Sequence, residues 1–276
     1  MERVTPESDT DYEWFLKKAG PLFELDWRKF RRRSARRHVE ERMRDLGCAG
    51  YQDYLECLRS DAGEARRLPD QMRVTVSRFW RERECWQELA GVVLPALIAV
   101  GKKGAPLRAW SIGCCNGEEP YTLALAFRGI IGSTVVDILA TDIDEVVLGR
   151  AREGCYGKSS LREVPAGILS RFFCPRGQLS CVDQKTKYLV RFERHNFIDD
   201  ILPDNMDLIL CRYLAFTYYR GSRQREAARR IWEALKPGGA LMIGRKDRLG
   251  LEGNGLFQRW PGTGVVYRKK PLKAQS

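Results

Sequence analysis

Histidine is the scarcest of the chemically versatile side chains in this sequence. Only His38 and His195 occur among 276 residues, so a histidine-based catalytic triad has little material. The nine cysteines are an odd number, and no Cys-x-x-Cys pair occurs among them. This spacing argues against a zinc site and against a disulfide framework, and we expect most of the thiols to be buried and reduced.

Long apolar stretches are also missing. The sequence has no run of 18 apolar residues, which argues against a membrane-spanning helix. Its first ten residues contain no apolar signal region, and we therefore expect a cytoplasmic protein. With 43% hydrophobic residues over this length, the chain can form one large globular domain or two smaller ones.

Positive charge is in excess and is concentrated in one segment. The formal net charge is +12, and residues 27–44 contribute +7 of it through nine Lys or Arg and two Glu. The segment lies in a predicted helix, Trp27–Gly47, with Gly47 as its stop. A solvated helix face remains one interpretation, but the density and single sign favour a surface that binds an acidic partner.

The stretch from Trp110 to Phe127 carries the clearest functional pattern. Leu107–Ile112 reads as a buried strand, Gly113–Gly117 as a tight loop, and Glu118 and Glu119 as the start of a helix. Strand, glycine-rich loop and helix N-terminus commonly hold a nucleotide-like ligand. Two carboxylates would repel a phosphate, so the pattern suits a ligand with a cationic end and no phosphate, such as S-adenosylmethionine.

The next predicted strand, Val136–Asp142, ends in an acid. An acid at this point of a doubly wound sheet accepts the ribose hydroxyls of the ligand. Asp142 could instead cap the following helix, a role that Asp144 could also fill. We favour ribose binding for Asp142.

Four segments in order resemble one family, the chemotaxis-receptor glutamate methyltransferases of the CheR type. The resemblance extends from about Trp27 to Tyr267, and it rests on residues Trp110–Phe127, Ala140–Asp144, Cys211–Arg212 and Leu235–Gly239. It implies an α/β fold, a Rossmann-like class I methyltransferase sheet with helices on both faces, preceded by a small all-helical N-terminal domain. We place the domains at 1–95 and 96–276, with a short antiparallel insertion near 174–194. A closing hairpin is predicted over Phe257–Arg268.

The resemblance also implies site residues. The segment Val74–Glu82 matches a family block that touches the cofactor, at the positions Thr75, Ser77 and Arg81. Thr75 replaces a family Asn, whereas Arg81 is retained and can hold a carboxylate.

Further along the chain, Asn196 and Phe197 match positions near the adenine, and Arg212 matches the end of a strand that faces the cofactor. Tyr213 stands where the family has Asn. Tyr218 matches the active-site tyrosine, with Arg81 and Arg212 as the other catalytic candidates.

The resemblance implies methyl transfer from S-adenosylmethionine to glutamates of an acidic, helical chemoreceptor-like protein, in signal transduction. A carboxylate is ionised at pH 7, so this reaction needs no general base. Two other functions stay open: a methyltransferase acting on RNA or another anionic acceptor, which the basic helix permits, and a catalytically weak cofactor-binding regulator, which the changes at Thr75 and Tyr213 suggest. We expect no metal and no membrane insertion, and the absence of a base-methylation motif argues against nucleic acid.

Overall fold

The computed structural model describes residues 8–71, 77–102, 104–132, 136–250 and 255–271, with the backbone alone at 69–71. Thr75 lies outside these ranges. The α-helices are α1 (Asp9–Leu22), α2 (Arg33–Asp45), α3 (Tyr51–Ser60), α4 (Ala62–Gln71), α5 (Arg83–Glu88), α6 (Leu94–Val100), α7 (Glu118–Ala126), α8 (Glu145–Glu153), α9 (Lys158–Leu161), α10 (Ala166–Phe172), α11 (Gln184–Lys187), α12 (Ala215–Tyr218) and α13 (Gly221–Ala234). The strands are β1 (Leu107–Ile112), β2 (Val136–Asp142), β3 (Cys155–Tyr156), β4 (Phe173–Arg176), β5 (Leu179–Val182), β6 (Val190–Arg194), β7 (Met206–Cys211), β8 (Leu235–Ile243), β9 (Phe257–Arg259) and β10 (Val266–Lys269). Among the described residues, no helix is both long and apolar enough to cross a membrane.

The chain forms two compact units. The helical unit comprises Met1–Val74 with Thr217–Arg223, and the sheet unit comprises Thr75–Phe216 with Gln224–Ser276. The division therefore falls before α5 and α6, and not at residue 95. The reason is that Trp86 and Leu89 belong to the same hydrophobic core as Ala109 and other residues of the sheet.

Aromatic rings form the centre of the helical unit. Phe15 of α1 stacks on Tyr51 and Tyr54 of α3, with ring centroids 5.4 and 5.7 Å apart. The hydroxyl of Tyr12 donates to the carbonyl of Phe30 at 3.0 Å. Burial of such large rings stabilises the helical unit.

The predicted basic helix is divided in two. Trp27–Phe30 form a 3-10 turn and α2 starts at Arg33. The helix ends at Asp45, and Gly47 has a φ of 71°, so the predicted glycine stop is confirmed. Arg42 points inward, where it donates to the buried Glu64 at 2.7 Å.

The segment Thr217–Arg223 is built into the helical unit. Its Tyr219 forms an antiparallel bridge with Leu25, and the carboxylate of Glu24 accepts from the backbone N–H groups of Ser222 and Arg223 at 3.0 and 2.8 Å. These contacts join two parts of the chain that are far apart in sequence.

The sheet unit contains seven strands in the order β6-β2-β1-β7-β8-β10-β9. The strands from β6 to β8 are parallel, whereas β9 and β10 form the expected antiparallel hairpin at the edge. Strand order reverses direction between β1 and β7. The expected α/β sheet is confirmed, and right-handed crossovers would place α7 and α8 on one face and α13 on the other. The carboxyl ends of β1, β2 and β7 then meet at one edge, where such sheets bind ligands.

A second, small antiparallel sheet has the order β3-β5-β4. Strands β4 and β5 form a hairpin within the predicted insertion. Strand β6 was expected to belong to that insertion as well, but it pairs in parallel with β2 of the main sheet. The alternating pattern of Val190–Arg194 indicates a strand without specifying its partner.

Candidate active site

The loop after β1 is fixed by its glycines and by the neighbouring strand. Gly113 donates its N–H to the carbonyl of Thr141 at 2.8 Å. Its φ of +69° lies in the left-handed region, and a Cβ there would come within 2.9 Å of Leu214. Gly117, with a φ of +88°, precedes α7 directly. Glycine at both positions lets the backbone turn tightly beside the helix N-terminus.

Asp142 ends β2 beside this loop. Its carboxylate accepts the N–H of Cys115 at 3.0 Å and that of Asp144 at 3.1 Å. The following helix is capped by Asp144, whose side chain accepts from the N–H of Val146 at 2.8 Å. The capping role is therefore filled by Asp144. A carboxylate has about four acceptor positions, so about two on Asp142 remain for ligand hydroxyls.

Glu119 and Arg212 form a buried ion pair. Nη1 of Arg212 donates to Glu119 at 3.2 Å, and Nη2 donates to Glu82 at 3.0 Å. The hydroxyl of Ser111 donates to the other oxygen of Glu119 at 2.8 Å. Burial raises the pKa of Glu119, and the positive charge of Arg212 opposes that rise. Both amino groups of Arg212 are thus engaged by carboxylates, whereas its buried Nε has no hydrogen-bond partner among the described residues.

The side chain of Glu118 contacts a different residue from that of Glu119. The Glu118 side chain is 2% exposed, and one oxygen accepts from the hydroxyl of Ser160 at 3.2 Å. Burial raises the pKa of Glu118. The two neighbouring glutamates at the start of α7 therefore have different surroundings, which the sequence did not predict.

Arg81 and Tyr213 are stacked. The guanidinium carbon of Arg81 lies 3.8 Å from the centroid of the Tyr213 ring. The Tyr213 hydroxyl donates to Glu82, and its backbone N–H donates to Asp247 at 2.9 Å. Tyr213 has a φ of 57°, which an Asn at the same position would adopt more easily. The departure from the family pattern thus creates a network that holds Arg81 and Glu82.

Asn196 and Phe197 lie in the turn after β6. The Asn196 side chain accepts from the N–H of Ile198 at 3.1 Å and donates to Asp199 at 2.7 Å, and Phe197 is buried. The side chain of Asn196 is therefore used in the turn, and its predicted contact with adenine stays a prediction. Ser77 is half-buried near the start of its described segment.

Tyr218, the predicted active-site tyrosine, belongs to the helical unit. Its ring stacks on Phe30 with a centroid distance of 5.0 Å. Its backbone carbonyl accepts from the N–H of Asp26 at 2.8 Å. A role in catalysis remains a prediction for this residue.

Near the glycine loop, two buried acceptor atoms have no hydrogen-bond partner among the described residues. They are Oδ1 of Asn116 and Oε2 of Glu118. Such atoms are costly unless a ligand or water supplies a donor. Together with Asp142 they fit a cofactor that offers ribose hydroxyls and a cationic amino group. S-adenosylmethionine has both.

Glu82 belongs to the same cluster, although no sequence pattern predicted it. This residue follows Arg81 directly, accepts from Arg212 and Tyr213, and accepts the N–H of Arg245 at 3.2 Å. Burial raises its pKa, but the hydrogen bonds and the charge of Arg212 outweigh burial, and the pKa of Glu82 lies below its usual range. An acid next to a retained arginine was the one local sign of this role.

Comparison with known proteins identifies the family. The profile described as "CheR methyltransferase, SAM binding domain" matches residues 75–266. A "Chemotaxis protein methyltransferase" of Listeria monocytogenes is 28% identical over 89% of this chain and 93% of its own length. A "Probable chemotaxis protein methyltransferase" of Rhizobium etli is 30% identical over 85% of this chain and 91% of its own length. An "Uncharacterized 104.1 kDa protein in hypE 3'region" of Rhodobacter capsulatus is 31% identical over 82% of this chain, which spans 24% of that protein. The profile covers more than half of the chain and includes the glycine loop, Asp142 and Arg212, so the chain belongs to the CheR methyltransferase family and is an S-adenosylmethionine-dependent methyltransferase.

Proposed function

We propose that this protein methylates glutamate side chains in an acidic, helical region of a chemoreceptor-like protein in the cytoplasm, giving glutamate methyl esters. The proposal is supported by the relatives that are named chemotaxis protein methyltransferases. The observation that carries it is the cluster of guanidinium and carboxylate groups at the carboxyl edge of the sheet, where Arg81 is half-buried beside the Arg212–Glu119 pair. A guanidinium at this edge suits an acceptor that is itself a carboxylate.

The reaction places modest demands on the protein. Bound S-adenosylmethionine would supply a methyl group on a cationic sulfur, and the ionised acceptor glutamate would be its nucleophile, with S-adenosylhomocysteine as the other product. The acceptor carboxylate is already ionised at pH 7, and no proton has to be moved. Alignment of the two reactants and exclusion of water then account for catalysis.

We assign the side chains as follows. Asp142 holds the ribose hydroxyls, and Glu118 and Glu119 favour the cationic end of the cofactor. Because the amino groups of Arg212 are engaged by two carboxylates, Arg212 positions Glu119. Arg81 orients the acceptor glutamate.

The basic segment would recognise the acidic surface around the acceptor. Four of its nine cations form ion pairs within the helical unit, namely Arg31, Arg36, Arg37 and Arg42. Lys29, Arg32 and Arg33 have no carboxylate partner among the described residues, and both arginines are exposed. Opposite charges on the two proteins would speed their encounter.

The transfer reaction can be tested with tritiated S-adenosylmethionine and a receptor fragment. We expect label that base releases as volatile methanol, and Arg81→Gln should lower the transfer rate by about tenfold or more, the usual size for loss of a charged orienting group. Arg83→Gln is the matched control, because Arg83 is exposed on α5. Base-stable label, or label in RNA, would exclude the ester.

Docking can be tested by reversing the charges of Lys29, Arg32 and Arg33 to Glu. KM for the receptor fragment should rise by about tenfold at low salt, since steering contributes about 10- to 1000-fold to association rates. The effect should shrink as salt screens the charges, with a Debye length of about 8 Å at physiological ionic strength, and cofactor affinity should not change.

The matched control for docking is a second triple reversal with the same change in net charge on the sheet unit. Its positions are exposed lysines without an ion pair among the described residues: Lys102, Lys158 and Lys185. Equal KM values for the two triple variants would contradict docking at the basic segment. Loss of salt-dependent RNA binding, with a log–log slope of about −0.7 per phosphate contact, would favour the RNA-directed function instead.

A further inference from the structure

Three cysteines form a row across the small antiparallel sheet. In the register of this sheet, Cys181 of the central strand β5 lies opposite Cys155 of β3 on one side and opposite Cys174 of β4 on the other. Directly opposed residues project from the same face of a sheet. The three sulfur atoms therefore lie on one face, with that of Cys181 in the middle.

The row contains one disulfide and one accessible thiol. Cys155 and Cys181 are bonded, whereas Cys174 is free and exposed. All nine cysteines lie in the described ranges, and the other free cysteines are buried or half-buried. A thiol is thus placed beside a disulfide that it can attack.

We propose that this row is a thiol–disulfide exchange site, in which Cys181 changes its partner between Cys155 and Cys174. The Cys174 thiolate attacks Sγ of Cys181, a Cys174–Cys181 bond forms, and the Cys155–Cys181 bond breaks. The electron pair leaves on the sulfur of Cys155, which takes up the proton that Cys174 released. One disulfide is present before and after, so the step consumes no oxidant or reductant. An external dithiol would instead reduce the disulfide of Cys181 to two thiols and would itself become a disulfide.

The order of the sulfurs suits this exchange. Attacking, central and leaving sulfur atoms have to lie close to one line, and the row places Cys174 and Cys155 on opposite sides of Cys181. The leaving sulfur of Cys155 lies 3.5 Å from the carbonyl of Glu153, which can accept its S–H after release. Cys155 and Cys174 themselves are separated by two strand spacings, about 9–10 Å, which is too far for a direct bond.

The site is connected to the cofactor loop through Tyr156. This residue follows Cys155 directly, and its hydroxyl donates to the carbonyl of Asn116 at 2.6 Å. Its ring packs edge-on against Phe79, with centroids 4.8 Å apart. The bond to Cys181 holds strand β3, and β3 holds the loop. When Cys181 is bonded to Cys174 instead, this constraint on the loop is released. Cofactor binding should then weaken, and this expectation does not depend on which molecule accepts the methyl group.

Peptide mapping tests the exchange in the full-length protein. Free thiols are alkylated after an acid quench, and the disulfide-linked peptides are identified by mass spectrometry. We expect wild-type protein to give both Cys155–Cys181 and Cys174–Cys181 peptides, and Cys155→Ser to give the second alone. Cys181→Ser should give no linkage, and Cys57→Ser, in the helical unit, should match wild type. Two free thiols at 174 and 181 in oxidised Cys155→Ser protein, or a 155–174 linkage in Cys181→Ser, would overturn the proposal.

Calorimetry with S-adenosylhomocysteine tests the connection to the loop. Oxidised Cys155→Ser should bind about three- to tenfold more weakly than oxidised Cys174→Ser, as expected for the weakening of one hydrogen bond. Reduction of wild-type protein with dithiothreitol should produce a similar loss without any substitution, which guards against misfolding of a variant. Equal affinity of oxidised and reduced wild-type protein would refute the connection.

Discussion

Replacement of Asp142 should weaken cofactor binding, whereas replacement of the nearby Asp144 should not. The two aspartates are two residues apart, but Asp142 accepts the N–H groups of Cys115 and Asp144, whereas Asp144 caps α8 through Val146. Cys115 and Asp144 donate to different oxygens of Asp142, so Asp142→Asn keeps an acceptor for one of these backbone groups and turns the other oxygen position into a donor. That donor faces ribose hydroxyls, which can then no longer both donate.

The expected size follows from the acceptor positions on the carboxylate. A hydrogen bond to a charged group contributes about 1.5–3 kcal/mol, so loss of one should reduce affinity by about tenfold to a hundredfold. Asp142→Ala should cost at least as much, because the N–H groups of Cys115 and Asp144 also lose their partner. Asp144→Ala should cost about 1 kcal/mol of stability as a lost N-cap while cofactor affinity stays within about twofold.

The assay is calorimetry with S-adenosylhomocysteine and with an analogue that lacks both ribose hydroxyls. The penalty for Asp142→Asn should be larger with the first ligand than with the second, because only the first offers ribose hydroxyls. Wild-type affinity of the Asn variant, or an equal penalty with both ligands, would refute ribose binding by Asp142.

Three further predictions concern the remaining site residues. Arg212→Ala should lower the free energy of unfolding by about 3–5 kcal/mol, because it leaves two buried carboxylates unpaired. Arg81→Ala should lower it by about 1 kcal/mol or less. Urea unfolding measures both values, and similar values would contradict the assigned roles. Glu118→Gln should raise stability at pH 7 by about 1 kcal/mol, because burial raises the pKa of Glu118 and the substitution removes an unpaired charge. The stability that protonated Glu118 contributes is present below pH 4.5 and is lost as pH rises through the raised pKa. Thermal melting temperatures of wild type and variant should therefore converge on acidification. Tyr218→Phe should lower the transfer rate with cofactor affinity within a few-fold, and a normal rate for it together with a slow Tyr219→Phe would mean that the neighbouring tyrosine is the functional one.

Local features of the site were accessible from the sequence. The strand, glycine loop and acidic helix start around Gly113 and Glu119 are contiguous, so their order alone predicts the structure. Asp142 and Asp144 could be named but not distinguished, because the choice depends on which backbone N–H groups each carboxylate meets. The structure settles that choice for the helix cap.

The partners of site residues that lie far apart in the sequence could not be predicted. Arg212 is 130 residues from Glu82, and nothing in either segment indicates the pairing. The basic segment shows the same limit, because Arg36 looked as available for docking as Arg32, yet Arg36 is paired with Glu40 and with Asp9 of α1. Charge counts along a sequence report how many cations are present and not which of them face solvent unpaired.

The participation of Thr217–Arg223 in the helical unit affects the order of events during synthesis. Contacts of Leu25 with Tyr219 and of Glu24 with Ser222 can form only after the ribosome has made most of the sheet unit. At about 5–20 residues per second, the first 74 residues wait roughly 7–30 s for this segment. The amino-terminal helices are therefore synthesised first but completed late, and during that interval an incomplete helical unit is available to chaperones and proteases.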